Sequence, residues 1–303
     1  MDRQDSGILL TRGGRVTGRN HAKLGLRRVL RGAYGRPLNV SDLDVWSARR
    51  AEWAARVRAA MALYEAHDPV LFGPTALQWL QVALTNRLED WARIHLLIPE
   101  QGRHSRREGV ALHYSTRPVD RWKTITGLPV LNPVDHWLQL TGATVNELVE
   151  VGDGFVRRRR PLLSVDLMLT RLGQLSGAPH IKLARQAMKL VRPGTESIYE
   201  TRVRLVIKEA GLPEPTVSPA VWCPALASWF HPDMGYPKAK IGVEFDGLVH
   251  VGDRRQMDRD VIRRNFFIDA GWQIITVTAS QLAHPEGWLR SIETALIIRG
   301  ETG

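Results

Sequence analysis

The sequence predicts an α/β fold. Its N-terminal part is expected to be mostly helical with a small winged or hairpin β element, and its C-terminal part to be an α-β-β-α-β core. Two observations carry this. Between Ser41 and Leu84, apolar residues (Trp46, Trp53, Val57, Ala60, Met61, Tyr64) recur at spacings near three and four, which is the period of a helix face. Beyond Pro193-Gly194 that period gives way to the strict alternation of Ile241-Gly242-Val243-Glu244-Phe245-Asp246 and then returns, so helices and strands are taken in turn.

In chain order, residues 1–40 hold Gly13-Gly14 and a basic stretch from Arg15 to Arg36. Leu24, Leu26, Val29 and Leu30 are its only core candidates, too few to fold alone. The helix over Ser41 to Tyr64 is followed, after breaks at Pro69, Gly73 and Pro74, by a second apolar stretch around Leu77, Leu80 and Leu84. Trp46 and Trp53, at helical spacing, read as core. Ile94–Ile98 and Val110–Tyr114 read as short strands, and the polar stretch from Gly102 to Gly109 as a hairpin connection. Asn132-Pro133 pairs an N-cap with a first-turn proline and opens helices through Val145, Ser164 and Ile181. The Arg157–Arg160 run reads as a solvated helix end or loop rather than a phosphate clamp.

Pro193-Gly194 is the clearest punctuation, so the expected segments are 1–40, 41–192 and 193–303. In the last of these a helix from about Ser197 to Ala210 stops at Gly211, and Pro213 and Pro215 prevent its resumption. A β-like stretch ends near Asp233, a turn holds Gly235 and Pro237, and the strand Ile241–Asp246 comes next. A helix from about Gln256 to Ala270 ends at Gly271, and Trp272–Thr278 is the last strand.

Composition narrows the function classes. At 44% hydrophobic and 24% charged, the 303 residues can bury a sizeable core. The single cysteine, Cys223, excludes an internal disulfide or a cysteine zinc cluster and fits the reducing cytoplasm expected for this chain. There is no signal-peptide core and no run of 18 apolar residues, so no membrane partner is expected. The net charge of +11 favours nucleic acid. It is uneven: residues 1–36 carry 9 basic and 2 acidic residues, residues 37–192 carry 21 and 15, and residues 193–303 carry 12 and 14. Acidic residues in a chain that binds an anion repel it unless a cation intervenes. No G-x-S-x-G elbow, Walker A loop or strand-linked G-x-G-x-x-G is present.

The carboxylates of the last segment form a pattern. Alternation puts Ile241, Val243 and Phe245 on one face of their strand, and Glu244 and Asp246 on the other, with Cα atoms about 6 to 7 Å apart. Two acids so close on a central strand need a compensating cation, and oxygen ligands suit a hard divalent ion, Mg²⁺ or Mn²⁺. The turn through Gly235 to Lys238 returns Asp233 to the same end. Glu196 and Glu200, one turn apart, can face the same cleft. Ser197-Ile198-Tyr199-Glu200 also matches a capping box, so Glu200 either closes the helix start or serves the cleft.

Taken together, Gly194-Thr195-Glu196-Ser197-Ile198-Tyr199-Glu200-Thr201, Gly211-Leu212-Pro213-Glu214-Pro215, Asp233, Val243-Glu244-Phe245-Asp246-Gly247 with His250, Asp260-Val261-Ile262-Arg263 and Gly271-Trp272 resemble the DUF559 group. That group belongs to the very-short-patch-repair-like branch of the PD-(D/E)xK nuclease superfamily. The likeness covers about residues 190–285. It implies a restriction-endonuclease-like core in which Asp233 and Glu244 bind the metal and Glu200 is the helix carboxylate. It also implies that Asp246 occupies a position that is lysine in better-known members, so that a second metal, His250 or Arg263 must supply the charge, and Asp246 or Glu200 completes the ion's shell or orients the water. Residues 24–35, ending Arg31-Gly32-Ala33-Tyr34-Gly35, with Ile94–Pro99, Gly127-Leu128-Pro129-Val130 and Pro133-Val134-Asp135, are similar to AbiEi-type antitoxin domains, whose winged-helix element would be truncated here.

The expected function is therefore metal-dependent hydrolysis of DNA phosphodiesters, with defence against foreign DNA as the setting the resemblance implies. Glu200, Asp233, Glu244, Asp246 and His250 are the candidate catalytic residues, and Asp233, Glu244 and Asp246 the candidate metal ligands. Arg263, Arg28 and Arg31 are candidate nucleic-acid contacts, and a homodimer is left open. The alternative is a non-catalytic DNA-binding regulator of the antitoxin type on a degenerate nuclease scaffold.

Overall fold

The computed structural model describes residues 8–10, 17, 19–39, 44–99, 106–115, 121–123, 127–224, 227–247 and 254–300. The fold is α/β, and it separates into two compact units, Met1–Thr141 and Gly142–Gly303.

In the first unit β1 (Ile8–Leu10), β2 (Arg27–Leu30) and β3 (Ala33–Gly35) form an antiparallel sheet in the order β1-β3-β2, and α1 (Val45–Leu63) packs against it. These three strands thus share a unit with α1 instead of standing as a segment of their own. Asp44 caps α1 by accepting the N–H groups of Trp46 and Ser47 at 2.9 and 3.0 Å, two donors that would otherwise have no partner. The helix buries Trp53, Val57, Ala60 and Met61 but leaves Trp46 71% exposed. Trp46 is therefore not core: the buried stripe begins only at Trp53, and the Trp46 ring lies 5.4 Å from the Arg49 guanidinium. Arg28 on β2 and Arg31 in the turn to β3 are exposed.

This unit carries more sheet than the sequence suggests. β4 (Val70–Leu71), β5 (Ile94–Ile98), β6 (Val110–Tyr114), β7 (Arg121–Lys123) and β8 (Pro129–Leu131) form a sheet in the order β6-β5-β4-β8-β7, joined by α2 (Gly73–Trp79) and α3 (Pro133–Leu138). The expected hairpin between β5 and β6 is not formed. The two are parallel, with Ile94 opposite Val110 and Ile98 opposite Tyr114. A hairpin needs only a few connecting residues. Here the longer connection carries the chain back to the start of β5, where the Gly109 carbonyl accepts the Ile94 N–H at 2.8 Å before β6 begins. Asn132 caps α3 through the Val134 N–H at 3.1 Å, with Pro133 in the first turn as expected.

In the second unit α4 (Val145–Phe155), α5 (Val165–Gln174) and α6 (Ile181–Met188) precede α7 (Ile198–Glu209). The division expected at Pro193-Gly194 thus falls inside a compact unit. Its cause is a buried ion pair: Arg204 of α7 meets Asp153 of α4 at 2.8 Å, with both side chains at 0% exposure. Thr201 Oγ1 donates to the same carboxylate at 2.9 Å and the Arg192 N–H at 2.7 Å. Separating α4 from α7 would strand the Asp153 charge and leave Arg204 with Glu214 alone, so Pro193-Gly194 is a turn and not a linker.

The unit continues with β9 (Thr216–Val217), a hairpin of β10 (Val221–Cys223) and β11 (Ser228–Phe230), β12 (Met234–Tyr236), β13 (Ile241–Asp246), α8 (Arg254–Asp269), β14 (Gln273–Thr278), α9 (Ala279–Ala283) and α10 (Glu286–Arg299). The main sheet has the order β14-β13-β12-β9, with β12 antiparallel to β13 and β13 parallel to β14. The α-β-β-α-β succession is α7, β12, β13, α8, β14. Ile241 and Val243 are buried among Val203 and Ile207 of α7 and Trp288 and Ile292 of α10, which leaves Gly242, Glu244 and Asp246 on the opposite face. β12 and β13 approach so closely that a Cβ on Gly235 would sit 2.3 Å from the Ile241 carbonyl oxygen, so only glycine fits. Among the described residues no helix is long and apolar enough to cross a membrane.

Candidate functional site

Glu200 stands in the first turn of α7. Ser197 Oγ caps the helix by accepting the Glu200 N–H at 3.2 Å, and Glu200 Oε2 accepts the Glu196 N–H at 2.8 Å. Ser197 caps the helix, but the reciprocal half of the capping box is not formed, because Glu200 takes the N–H of Glu196 and not that of Ser197. One carboxylate oxygen ties down the residue before the cap, while the side chain, 8% exposed, lines a cavity of about 410 Å³ together with Asp233.

Asp233 lies immediately before β12, and the register of Met234 opposite Val243 carries it toward Glu244. Its Oδ2 accepts the Phe245 N–H of β13 at 2.8 Å, which orients the carboxylate, while its backbone carbonyl accepts the Ser218 N–H, just beyond β9, at 2.8 Å. Burial pushes the Glu200 carboxyl up to about 7, and the neighbouring Asp233 charge adds to the rise. Burial raises Asp233 as well, opposed by the Phe245 N–H, Arg263 and Arg158. The two acids therefore face one another with incomplete compensation.

Arg263 of α8 supplies part of it. Its Nη2 pairs with Glu244 Oε1 and donates to the His231 carbonyl at 3.1 Å, and the guanidinium lies 5.7 Å from the Phe267 ring. Arg263 lines the Glu200–Asp233 cavity and also a second cavity of about 520 Å³ that holds Glu244 and Asp246. The candidate carboxylates are thereby divided: Glu200 and Asp233 open on one side of the guanidinium, Glu244 and Asp246 on the other. Asp246 is exposed at the end of β13, opposite Thr278 of β14. His250 lies outside the described residues, as does the side chain of Asp260. Arg28 and Arg31 belong to the first unit and are not part of this cavity.

The cavity has members that the sequence reading did not assign. Arg158 and Arg159 line it, so the arginine run, exposed at Arg158, Arg159 and Arg160 and half-buried at Arg157, borders the acid pair. Glu196 Oε1 holds that loop, accepting the Arg159 N–H at 2.7 Å and lying 3.6 Å from Arg158 Nε. His231 also lines it, with Nδ1 donating to the Ser218 carbonyl at 3.1 Å. Its adjacency in His231-Pro232-Asp233 is the signal that could have found it.

A hard divalent ion asks for oxygen donors that converge. Among the described residues no group of three or more His, Cys, Asp or Glu converges as a metal-binding set. Glu200 and Asp233 suit a hard cation by donor type, and their mutual repulsion is what such a cation would relieve. Glu244 can be a third donor once it exchanges its bond to Arg263.

No protein-family model matches the chain, and no curated protein matches it. Among solved structures, the chain is similar to the crystal structure of the RV2827C protein from Mycobacterium tuberculosis, at 14% sequence identity and a TM-score of 0.38, over 73% of this chain and 85% of that one. A likeness of that strength carries no argument about function.

Proposed function

We propose that this chain is a Mg²⁺- or Mn²⁺-dependent endonuclease that hydrolyses DNA phosphodiesters, of the DUF559 and very-short-patch-repair-like kind. The observation that supports this most is the meeting of Glu200 and Asp233 in one cavity edged by Arg158, Arg159 and Arg263. A buried and a half-buried acid beneath a rim of arginines suit a phosphodiester held by the arginines while the acids manage a cation and a proton. Asp233, oriented by the Phe245 N–H, and Glu244 are the residues that would hold the ion. A bound Mg²⁺ or Mn²⁺ supplies polarisation of the phosphoryl oxygen and a lowered pKa for attacking water. Glu200, with a carboxyl near neutrality, takes up or returns a proton at the oxygen not engaged by Glu196. Arg263, released from Glu244, faces the cavity as the cationic donor that Asp246 cannot be. Action in the cytoplasm against foreign DNA is the setting that fits this chemistry.

The Arg263–Glu244 pair favours a second reading, in which the guanidinium permanently replaces the metal and the chain is a DNA-binding regulator of the antitoxin type. One assay separates the two. The purified chain is incubated with supercoiled plasmid and with single-stranded DNA, with Mg²⁺, with Mn²⁺ and with EDTA. Metal-dependent nicking or degradation supports the nuclease, whereas DNA binding with no cleavage in any metal supports the regulator.

A further inference from the structure

The hairpin of β10 and β11 pairs with no other strand among the described residues, which for two short strands is a marginal arrangement. It carries Trp222 directly opposite Trp229. The rings are 5.1 Å apart at 58°, and the residues remain 44% and 56% exposed. Trp229 lines the same cavity as Glu200, Asp233, Arg158, Arg159 and Arg263. An apolar partner would make no use of the exposed Arg158 and Arg159 at the rim, which share one nearby carboxylate, Glu196, and a simple anion would make no use of the indole. A nucleotide answers both, because it joins a flat apolar base to a phosphate. In a closed duplex each internal base face is already covered by its neighbours, so an unpaired base presents a face to Trp229 without the cost of unstacking a base step.

We infer that Trp229 is a stacking platform for an unpaired base beside the phosphate held in the Glu200–Asp233 cavity, so that the chain selects single-stranded or locally opened DNA. This inference rests on the nuclease reading proposed above and adds the form of its substrate. Arg158 and Arg159 neutralise the backbone without regard to sequence, and Trp229 distinguishes stacked from unstacked bases.

The test is fluorescence anisotropy of the full chain in EDTA, where cutting is suppressed. One DNA sequence is presented as a single strand, as a closed duplex and as a duplex with a central unpaired stretch, beside the matching RNA strand. Wild type is expected to bind the single strand and the opened duplex more tightly than the closed one. Trp229→Ala should weaken the first two by roughly 5- to 100-fold and leave the closed duplex within about two-fold, as expected for one lost stacking contact. Its salt dependence should not change, because no phosphate contact is lost. Trp229→Phe should restore most of the affinity. Melting of both variants checks folding, and because Trp229→Ala also removes the cross-strand contact with Trp222, Trp222→Ala serves as the control for the hairpin itself. Equal single-strand affinity in wild type and Trp229→Ala, or an equal loss on all DNA forms, overturns the inference while metal-dependent cleavage leaves the nuclease reading standing. A Trp229-dependent preference for RNA overturns the assignment to DNA, and failure to bind any nucleic acid overturns both readings.

Discussion

The Arg263 guanidinium lies on the Glu244 carboxylate, while Asp233 leans on the Phe245 N–H at 2.8 Å. A tethered cation thus occupies one of the two acids proposed to hold the metal. Side-chain exposures of 31% and 21% leave the pair partly hydrated, so its loss should cost the metal-free protein about 1 kcal/mol or less. The ion would no longer have to displace the guanidinium. Arg263→Gln should therefore bind Mn²⁺ more tightly by titration calorimetry, by at most about ten-fold, even as it cleaves DNA more slowly. Weaker Mn²⁺ binding in the variant would show that Arg263 supports the ion instead of competing with it.

Stability should fall as pH rises through the Glu200 titration. Its folded-state pKa is raised from 4.5 to about 7, so between those values the folded chain holds a proton that the unfolded chain has released. Unfolding free energy accordingly declines from about pH 4.5 to about pH 7, by at most about 3 kcal/mol, and this contribution is flat above that window. Glu200→Gln keeps an acceptor for the Glu196 N–H and should remove most of the slope, making the variant the more stable protein at pH 8. Urea midpoints at pH 5 and pH 8 measure it, and an unchanged slope in the variant would assign the titration to another group.

The pair of Asp153 and Arg204 should matter more to folding than any surface pair. Asp153→Ala leaves the buried Arg204 with only Glu214, at 3.1 Å from Nη1, and removes the acceptor for Thr201 Oγ1 and the Arg192 N–H, a loss on the order of 3 kcal/mol. Glu196→Gln, at the exposed arginine loop, should cost about 1 kcal/mol or less. Denaturant titration of both variants should reproduce that order.

Nucleic-acid affinity should weaken steeply with salt, since residues 1–192 carry 30 basic and 17 acidic residues. Arg158→Gln should lower the log–log salt slope by about one, the amount for one phosphate contact, and Arg28→Gln and Arg31→Gln do the same where those exposed arginines meet the backbone. A flat response from about 50 to 200 mM salt would contradict electrostatic binding altogether.

The sequence made particular parts of this legible. Alternation alone separates Ile241 and Val243 from Glu244, because a strand's period of two admits no other assignment. The short turn after Tyr236 makes the return of Asp233 readable, and Ser197 and Gly211 bracket α7 closely. Patterns of this kind say which face a residue occupies and not what meets it there. Nothing local to Asp153 indicates Arg204, because that meeting is made by the packing of α4 on α7, and nothing local to Arg158 indicates the cavity it shares with Asp233, which lies far along the chain. The parallel pairing of β5 with β6 was hidden for a related reason: two adjacent strand-like runs suit a hairpin or a parallel return equally well, and only the path of the connection decides. Pro193-Gly194 misleads as a boundary because a tight turn inside a unit uses the same residues as a linker.

The most direct measurement of the central claim is plasmid cleavage by wild type, Asp233→Asn and Glu244→Gln in Mn²⁺, on proteins first shown by melting to be folded. The account predicts metal-dependent nicking by wild type, abolished by EDTA, and loss of nicking in both variants with DNA binding retained. Nicking that persists in both variants would place the chemistry outside the Glu200–Asp233–Glu244 site and contradict the account.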